Sequence, residues 1–492
     1  MTDLFEKLQK KENELAFMIA GNPAELIKRP VFHYASPGDR ITRPIAILRI
    51  NDRIHLFYQW HTKLDGKEKI CWGHSSSSDF INWNPEPLAL VPDHKEDCEG
   101  CLSGSVLEHN GSYTIVYTGV TKEKDLEVQN QCIAKGDGIK FQKIEENPIV
   151  TSRNIPFIYE KTHFNSPHIW INDEKYFMCC SIKKTDKNGL LVIFSSSNLT
   201  DWTFFSFIDE KNHSDVPNWE NPVIRRMNST DFLFYSASCD GEKHTFYKKI
   251  HFDVQDSNVL SEAESGLISV AEPVDYGLDF HDPIFTELPD GRTVMTGILL
   301  AEHKKDNEPE ELWSGQLSIP REITFRNGRL YQTPVRELSD VRINRVCGEI
   351  LPKEETEIEI LDGRHFELKT ELTVSDTETG SMSLYICKKD KHYVEIRYDA
   401  KKGTLLFDRS RTKYPGKKAK KEIPVSPTLS GTICFLCIID TSSVEIFIND
   451  GEKVFSNTFC ASPELNEVSV RSDMSVPIMF NYYHLGTPVK PE

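Results

Sequence analysis

The side chains of this chain that could do chemistry recur in short polar segments beside strand-like runs. Three segments end in proline: Thr42-Arg43-Pro44, Asn165-Ser166-Pro167 and Glu220-Asn221-Pro222. The others are Gln59, Trp72-Gly73-His74, Ser103-Gly104-Ser105 and the stretch from Asp275 to Asp282. Proline after a presented side chain biases that residue toward extended backbone and removes a donor at a strand start. Glu220 can act as a general acid or base. Arg43 stays charged and only donates, so it can be neither base nor nucleophile. Two cysteine pairs, Cys98/Cys101 and Cys434/Cys437, have metal-knuckle spacing. No second knuckle accompanies either, and Cys434 to Cys437 lies in an apolar run, so we expect buried thiols and neither metal nor cofactor.

The segments need elements to position them. Apolar strands Ile54–Gln59, Tyr113–Thr118, Tyr176–Ser181, Phe232–Ala237 and Val294–Leu299 recur at roughly 60-residue intervals. A second element repeats with them. Ser75-Ser76-Ser77-Ser78-Asp79-Phe80-Ile81-Asn82-Trp83 echoes Ser195-Ser196-Ser197-Asn198-Leu199-Thr200-Asp201-Trp202, and Ala134 to Phe141 is a third copy. A unit of this size cannot bury both faces of its sheet alone, but units packed radially around an axis can. Five copies predict an all-β, five-bladed β-propeller whose axial channel meets one segment from each blade. After about residue 340 the period is lost, and closely spaced strand-like runs predict a C-terminal β-sandwich. Residues 3–20 predict a short N-terminal helix, with Leu4, Leu8, Leu15, Met18 and Ile19 at helical spacing. The expected division is 1–28, 29–338 and 339–492. The basic loop Arg411 to Lys421, with Lys413, Lys417, Lys418 and Lys420, reads as a solvated turn.

Composition sets outer limits. A chain of 492 residues is long enough for two domains. A net charge of −17 argues against nucleic acid or an anionic membrane as the general partner. We find no apolar run of about 18 residues and no signal-peptide core, so a cytoplasmic protein is expected. A carbohydrate ligand and a homo-oligomer remain open.

These segments resemble glycoside hydrolase family 32, the β-fructofuranosidases, from Arg29-Pro30 to near the end. The resemblance is carried by Arg29-Pro30 with His33, Phe57-Tyr58-Gln59, Trp72-Gly73-His74, Ser103-Gly104-Ser105, Trp313 to Glu322, Gly328 to Pro334, Asp408-Arg409-Ser410 and Asp440 to Gly451. It implies a five-bladed propeller followed by a sandwich. It also implies a retaining mechanism with two carboxylates about 5–5.5 Å apart and a third that binds hydroxyls. Counted from His33 with Pro44 as anchor, the family's nucleophile falls on Arg43. The third carboxylate falls on Ser166, beside Asn165, and the acid/base falls on Glu220. Gln59, Trp72 and Ser103 match sugar-site positions.

Only one of the three carboxylates survives. A glycosyl-enzyme ester needs a carboxylate, and a cation at position 43 opposes the charge of an oxocarbenium-like transition state. The leading expectation is a family member without ordinary β-fructofuranosidase activity that binds a ligand or partner through its channel, with Arg43 paired to Glu220. The alternative is an active, divergent hydrolase using Glu220 with Asp282, Asp279 or Asp39, in which Arg43 holds an anionic sugar group. A scaffold with a vestigial channel is the third reading.

Overall fold

Each recurring apolar run folds as the second strand of an antiparallel meander. The computed structural model describes residues 2–156, 158–184, 189–208, 219–239, 242–252, 271–300, 312–352, 355–357, 363–375, 377–412, 414–416, 418–460, 462 and 464–486. Lys413 and Lys417 of the basic loop lie outside them. Blade one is built from Asp39–Ile50, Arg53–Leu64, Lys67–Ser77 and Trp83–Pro85, and blade two from Gly100–His109, Ser112–Glu123, Leu126–Gly136 and Phe141–Lys143. Blade three is Tyr159–Asn172, Lys175–Lys184, Gly189–Ser196 and Thr203–Ile208. Blade four is Trp219–Met227, Thr230–Cys239, Glu242–Ile250 and Glu272–Pro273. Blade five is Phe280–Glu287, Thr293–Leu299, Arg321–Arg326 and Arg329–Pro334. The first strand of each blade contacts the first strand of the next, and blade five returns to blade one, closing the ring. Trp313–Ser314 pairs in parallel with the start of Asp39–Ile50 and ties that closure.

The propeller core lies between blades. Phe57 and Trp72 of blade one pack with Ile115 and Tyr117 of blade two, and Val116 and Ile133 pack with Phe164 and Met178 of blade three. Phe177 and Leu191 meet Leu233 and Tyr235 of blade four, and Phe232 and Phe234 meet Phe285 and Met295 of blade five. Leu56 and Trp60 complete the circle against Ile284 and Ile298. Each large side chain removed from water here contributes roughly 1.5–3 kcal/mol. The serine-rich repeats are the turns into the fourth strands. Asp79 Oδ1 accepts from the backbone N–H of Ile81 and Asn82, and Asn198 Oδ1 accepts likewise from Thr200 and Asp201. Asp137 repeats the arrangement with Ile139 and Lys140. These are Asx turns, in which a short polar side chain replaces a backbone acceptor.

The N-terminal helix spans Asp3–Ala20, capped by Thr2 Oγ1 accepting from Phe5 N–H. Leu4, Leu8 and Leu15 pack on blade one, and only a glycine at position 38 leaves room for Leu15. Met18 departs from the expected stripe: it is 53% exposed, whereas Ile19 beside it is buried. Residues Arg342 to Leu485 form two six-stranded antiparallel sheets packed face to face. The join with the propeller is buried and polar. His33 sits between Asp440 (2.8 Å) and Glu445 (2.9 Å), and Arg321 between Asp275 (2.9 Å) and Glu445 (2.5 Å). Arg409, from the resemblance segment Asp408-Arg409-Ser410, reaches Asp279 at 2.6 Å. Of the knuckle cysteines, Cys101 and Cys437 are buried and Cys98 is exposed, and no cluster among the described residues could hold a metal. No described helix is long and apolar enough to cross a membrane.

Candidate active site

Each first strand is broken by a bulge at or directly beside its candidate residue. The ladder slips between Ile41 and Arg43 in blade one and between Cys101 and Gly104 in blade two. In blade three it skips Ser166-Pro167, in blade four Asn221-Pro222 and in blade five Asp282-Pro283. A bulge bends the strand and re-aims a side chain, and it tolerates proline because the ladder is already interrupted there. Contrary to the extended backbone expected from the sequence, the residue before proline in blades three to five is not extended. Ser166, Asn221 and Asp282 take left-handed backbone, with φ of 58°, 48° and 53°. The bulge, held by the flanking ladder, overrides the local preference. His281-Asp282-Pro283 is thus a fourth proline segment, equivalent in position to the others.

The bulges bring Arg43, Ser103, Ser166, Glu220, Asn221 and Asp282 together. Arg43 Nη1 donates to Asn221 Oδ1 at 3.0 Å and, more weakly, to Ser103 Oγ at 3.4 Å. Ser103 Oγ lies 3.1 Å from Ser166 Oγ, and Ser166 Oγ donates to Asn165 Oδ1 at 3.0 Å. Asn165 Nδ2 in turn donates to Gln129 Oε1. The expected pair of Arg43 with Glu220 is present only at its outer limit: Nη2 stands 4.0 Å from Oε2. Glu220 is held instead by Lys243, 2.9 Å away, and the same ammonium lies 3.0 Å from Asp282 Oδ2. Arg43 Nε is 3.9 Å from that Asp282 oxygen.

Asp282 is 2% exposed. Burial pushes its carboxyl up, but the charges of Lys243 and then Arg43 outweigh burial and hold it well below the usual carboxylate range. His281 beside it is lowered to about 4, by burial first and by Lys243 second, so its imidazole is neutral near pH 7. Two carboxylates from the sequence reading lie elsewhere. Asp39 accepts from Thr62 Oγ1 and pairs with Lys11 of the helix, and Asp279 is committed to Arg409 and Thr458 in the domain join. Gln59 and Trp72 belong to the second and third strands of blade one rather than to a first strand. Gln59 Nε2 donates to Thr42 Oγ1 at 2.9 Å. Trp72 is fully buried, and its indole N–H donates to Leu102 O, bracing the bulge that carries Ser103.

Lys243 escaped the sequence reading. It lies on the third strand of blade four, whereas the repeat was anchored on second strands and the blade-four candidates, Glu220 and Asn221, lie on the first strand. The signal that could have found it is electrostatic. A buried carboxylate needs a partner, and Asp282 lies one blade on from Glu220.

Known proteins share this architecture. The model described as Glycosyl hydrolases family 32 N-terminal domain matches residues 33–334, and Glycosyl hydrolases family 32 C terminal matches 337–482. A probable sucrose-6-phosphate hydrolase of Psychromonas ingrahamii is 28% identical, over 92% of this chain and 81% of its own. Two solved structures share the fold. Sucrose-6-phosphate hydrolase from Lactobacillus gasseri has a TM-score of 0.82 at 20% identity, covering 97% of each chain. A mutant GH32 beta-fructofuranosidase of Bombyx mori in complex with sucrose has a TM-score of 0.79 at 22% identity, covering 97% of this chain and 98% of the other.

Proposed function

The chain belongs to glycoside hydrolase family 32, and from that membership we propose that it binds a carbohydrate in the axial site without ordinary β-fructofuranosidase turnover. The observation that carries this reading is Arg43. A guanidinium stands on the blade-one bulge, where the family resemblance puts the nucleophile, and its neighbours Ser103 and Asn221 hold it there. Guanidinium cannot form a glycosyl ester. Asn165 and Ser166 likewise offer an amide and a hydroxyl in place of an arginine and a carboxylate. Ligand binding is supported by the polar groups gathered at the bulges and by the sucrose complex of the Bombyx mori relative. The described cysteines are free thiols, which supports a cytoplasmic location.

The test is release of fructose from sucrose, sucrose 6-phosphate, raffinose and inulin by the wild-type chain and by Glu220→Gln. No turnover above the variant's background is expected. Turnover that disappears in Glu220→Gln overturns the reading and favours a second one, in which Glu220 and Asp282 form a displaced catalytic pair. That alternative has its own support: both carboxylates lie within 3.0 Å of Lys243 Nζ, so these oxygens are at most about 6 Å apart, a limit that admits the retaining separation. It ranks second because Asp282 is buried beneath its two cations.

A further inference from the structure

We propose that the ligand of the axial site carries a carboxylate, which takes the place now filled by the Glu220 side chain. This inference rests on the carbohydrate-binding reading above. Glu220 Oε2 is seated between two cations, 2.9 Å from Lys243 Nζ and 4.0 Å from Arg43 Nη2. Both of Arg43's hydrogen bonds within the described residues come from Nη1. Its Nε is buried without a hydrogen-bond partner, and Nη2 has only the long approach to Glu220. The Nε–Nη2 edge is the fork with which arginine grips a planar carboxylate. The site therefore has a guanidinium edge that meets Asp282 and Glu220 only at 3.9 and 4.0 Å and makes no hydrogen bond to either, an ammonium beside it and the Glu220 carboxylate between the two cations.

Glu220 is well suited to yield that position. Its side chain is 32% exposed, whereas Asp282 is 2% exposed and stays under the cations as their fixed counter-charge. Once Glu220 turns out toward solvent, Arg43 and Lys243 outnumber Asp282 by one charge. A single carboxylate balances that excess. A phosphate dianion exceeds it and would stand close to the Asp282 carboxylate. The ligand class is thus a sugar acid, such as a uronate or a ketose acid.

The experiment is a thermal-shift and calorimetric titration of the full chain with D-glucuronate and 2-keto-D-gluconate. Fructose and sucrose serve as neutral probes and sucrose 6-phosphate as the phosphorylated one. The sugar acids should bind at least roughly tenfold more tightly than the neutral sugars. Arg43→Ala should abolish that preference, and Glu220→Gln should strengthen acid binding by roughly tenfold because the competing carboxylate is gone. A gain of affinity cannot come from misfolding, so Glu220→Gln remains decisive if Arg43→Ala is unstable. Equal binding of neutral sugars, a preference for the phosphate, or weaker acid binding by Glu220→Gln overturns the inference while leaving the carbohydrate-binding reading standing. Binding of none of the sugars by the wild type or Glu220→Gln overturns both.

Discussion

At the scale of single residues, Lys243 organises the site. One ammonium holds a buried carboxylate, Asp282, and a partly exposed one, Glu220. Removing one partner of a buried pair costs more than the pair contributes, and without Lys243 the buried Asp282 keeps only the more distant Arg43, at 3.9 Å, as counter-charge. Lys243→Met should therefore lower stability at pH 7 by about 3 kcal/mol in urea unfolding, and adding Asp282→Asn should recover most of that loss. The pH dependence follows from the direction of the Asp282 shift. Its carboxyl is held below the usual value of 3.8, so its contribution is present above that pH and is lost in stronger acid, as pH falls through the depressed value. The loss caused by Lys243→Met should accordingly shrink on acidification. Arg43 was legible from the distance between His33 and Pro44, and Glu220 was expected beside it. Its contacts with Ser103, Asn221 and Asp282 were not, since they depend on how blades two, four and five close around it.

At the scale of elements, the Asx turn is made by adjacent residues, whereas the bulge is made by strand pairing. The Asx turns of blades one to three were visible as a repeated string, because a local turn is made by residues adjacent in sequence. Asp79→Ala removes the acceptor for two backbone N–H groups and should cost about 1–2 kcal/mol in the same unfolding measurement. The bulges were not visible. Sequence preference before proline points to extended backbone, and only pairing with the second strand imposes left-handed φ at Ser166, Asn221 and Asp282. The helix carries a buried carboxyl, Glu12, which accepts from Tyr58 and Gln9. Burial raises it to about 8 against those hydrogen bonds. A carboxyl raised in the folded state disfavours folding progressively as pH climbs from 4.5 toward 8. Glu12→Gln should thus raise the melting temperature by a few degrees near pH 8 and have little effect at pH 4.

At the scale of the molecule, the propeller and the sandwich are joined by buried ion pairs centred on His33, Arg321 and Arg409. Burial lowers the pKa of His33, but hydrogen bonds to Asp440 and Glu445 outweigh burial and hold it at about 9. Its stabilising contribution is complete below its ordinary value of 6.5 and is lost as pH rises through 9. The thermal midpoint should fall between these values, and His33→Gln should flatten that slope. The same network should make the two units unfold in one calorimetric transition, with Arg321→Met separating it into two.

The sequence by itself determined the scaffold and put an arginine, Arg43, where the family resemblance expects the nucleophile. Strand period, turn chemistry and the spacing from His33 to Pro44 are local properties, written in residues near one another in the chain. Tertiary structure alone decided what surrounds Arg43. Closing the ring brings together bulges separated by whole blades, places Lys243 against Glu220 and Asp282, and withdraws Asp39 and Asp279 to other contacts. Electrostatic partnership depends on distance in space, so a lysine on a third strand acquires its role only when the blades pack.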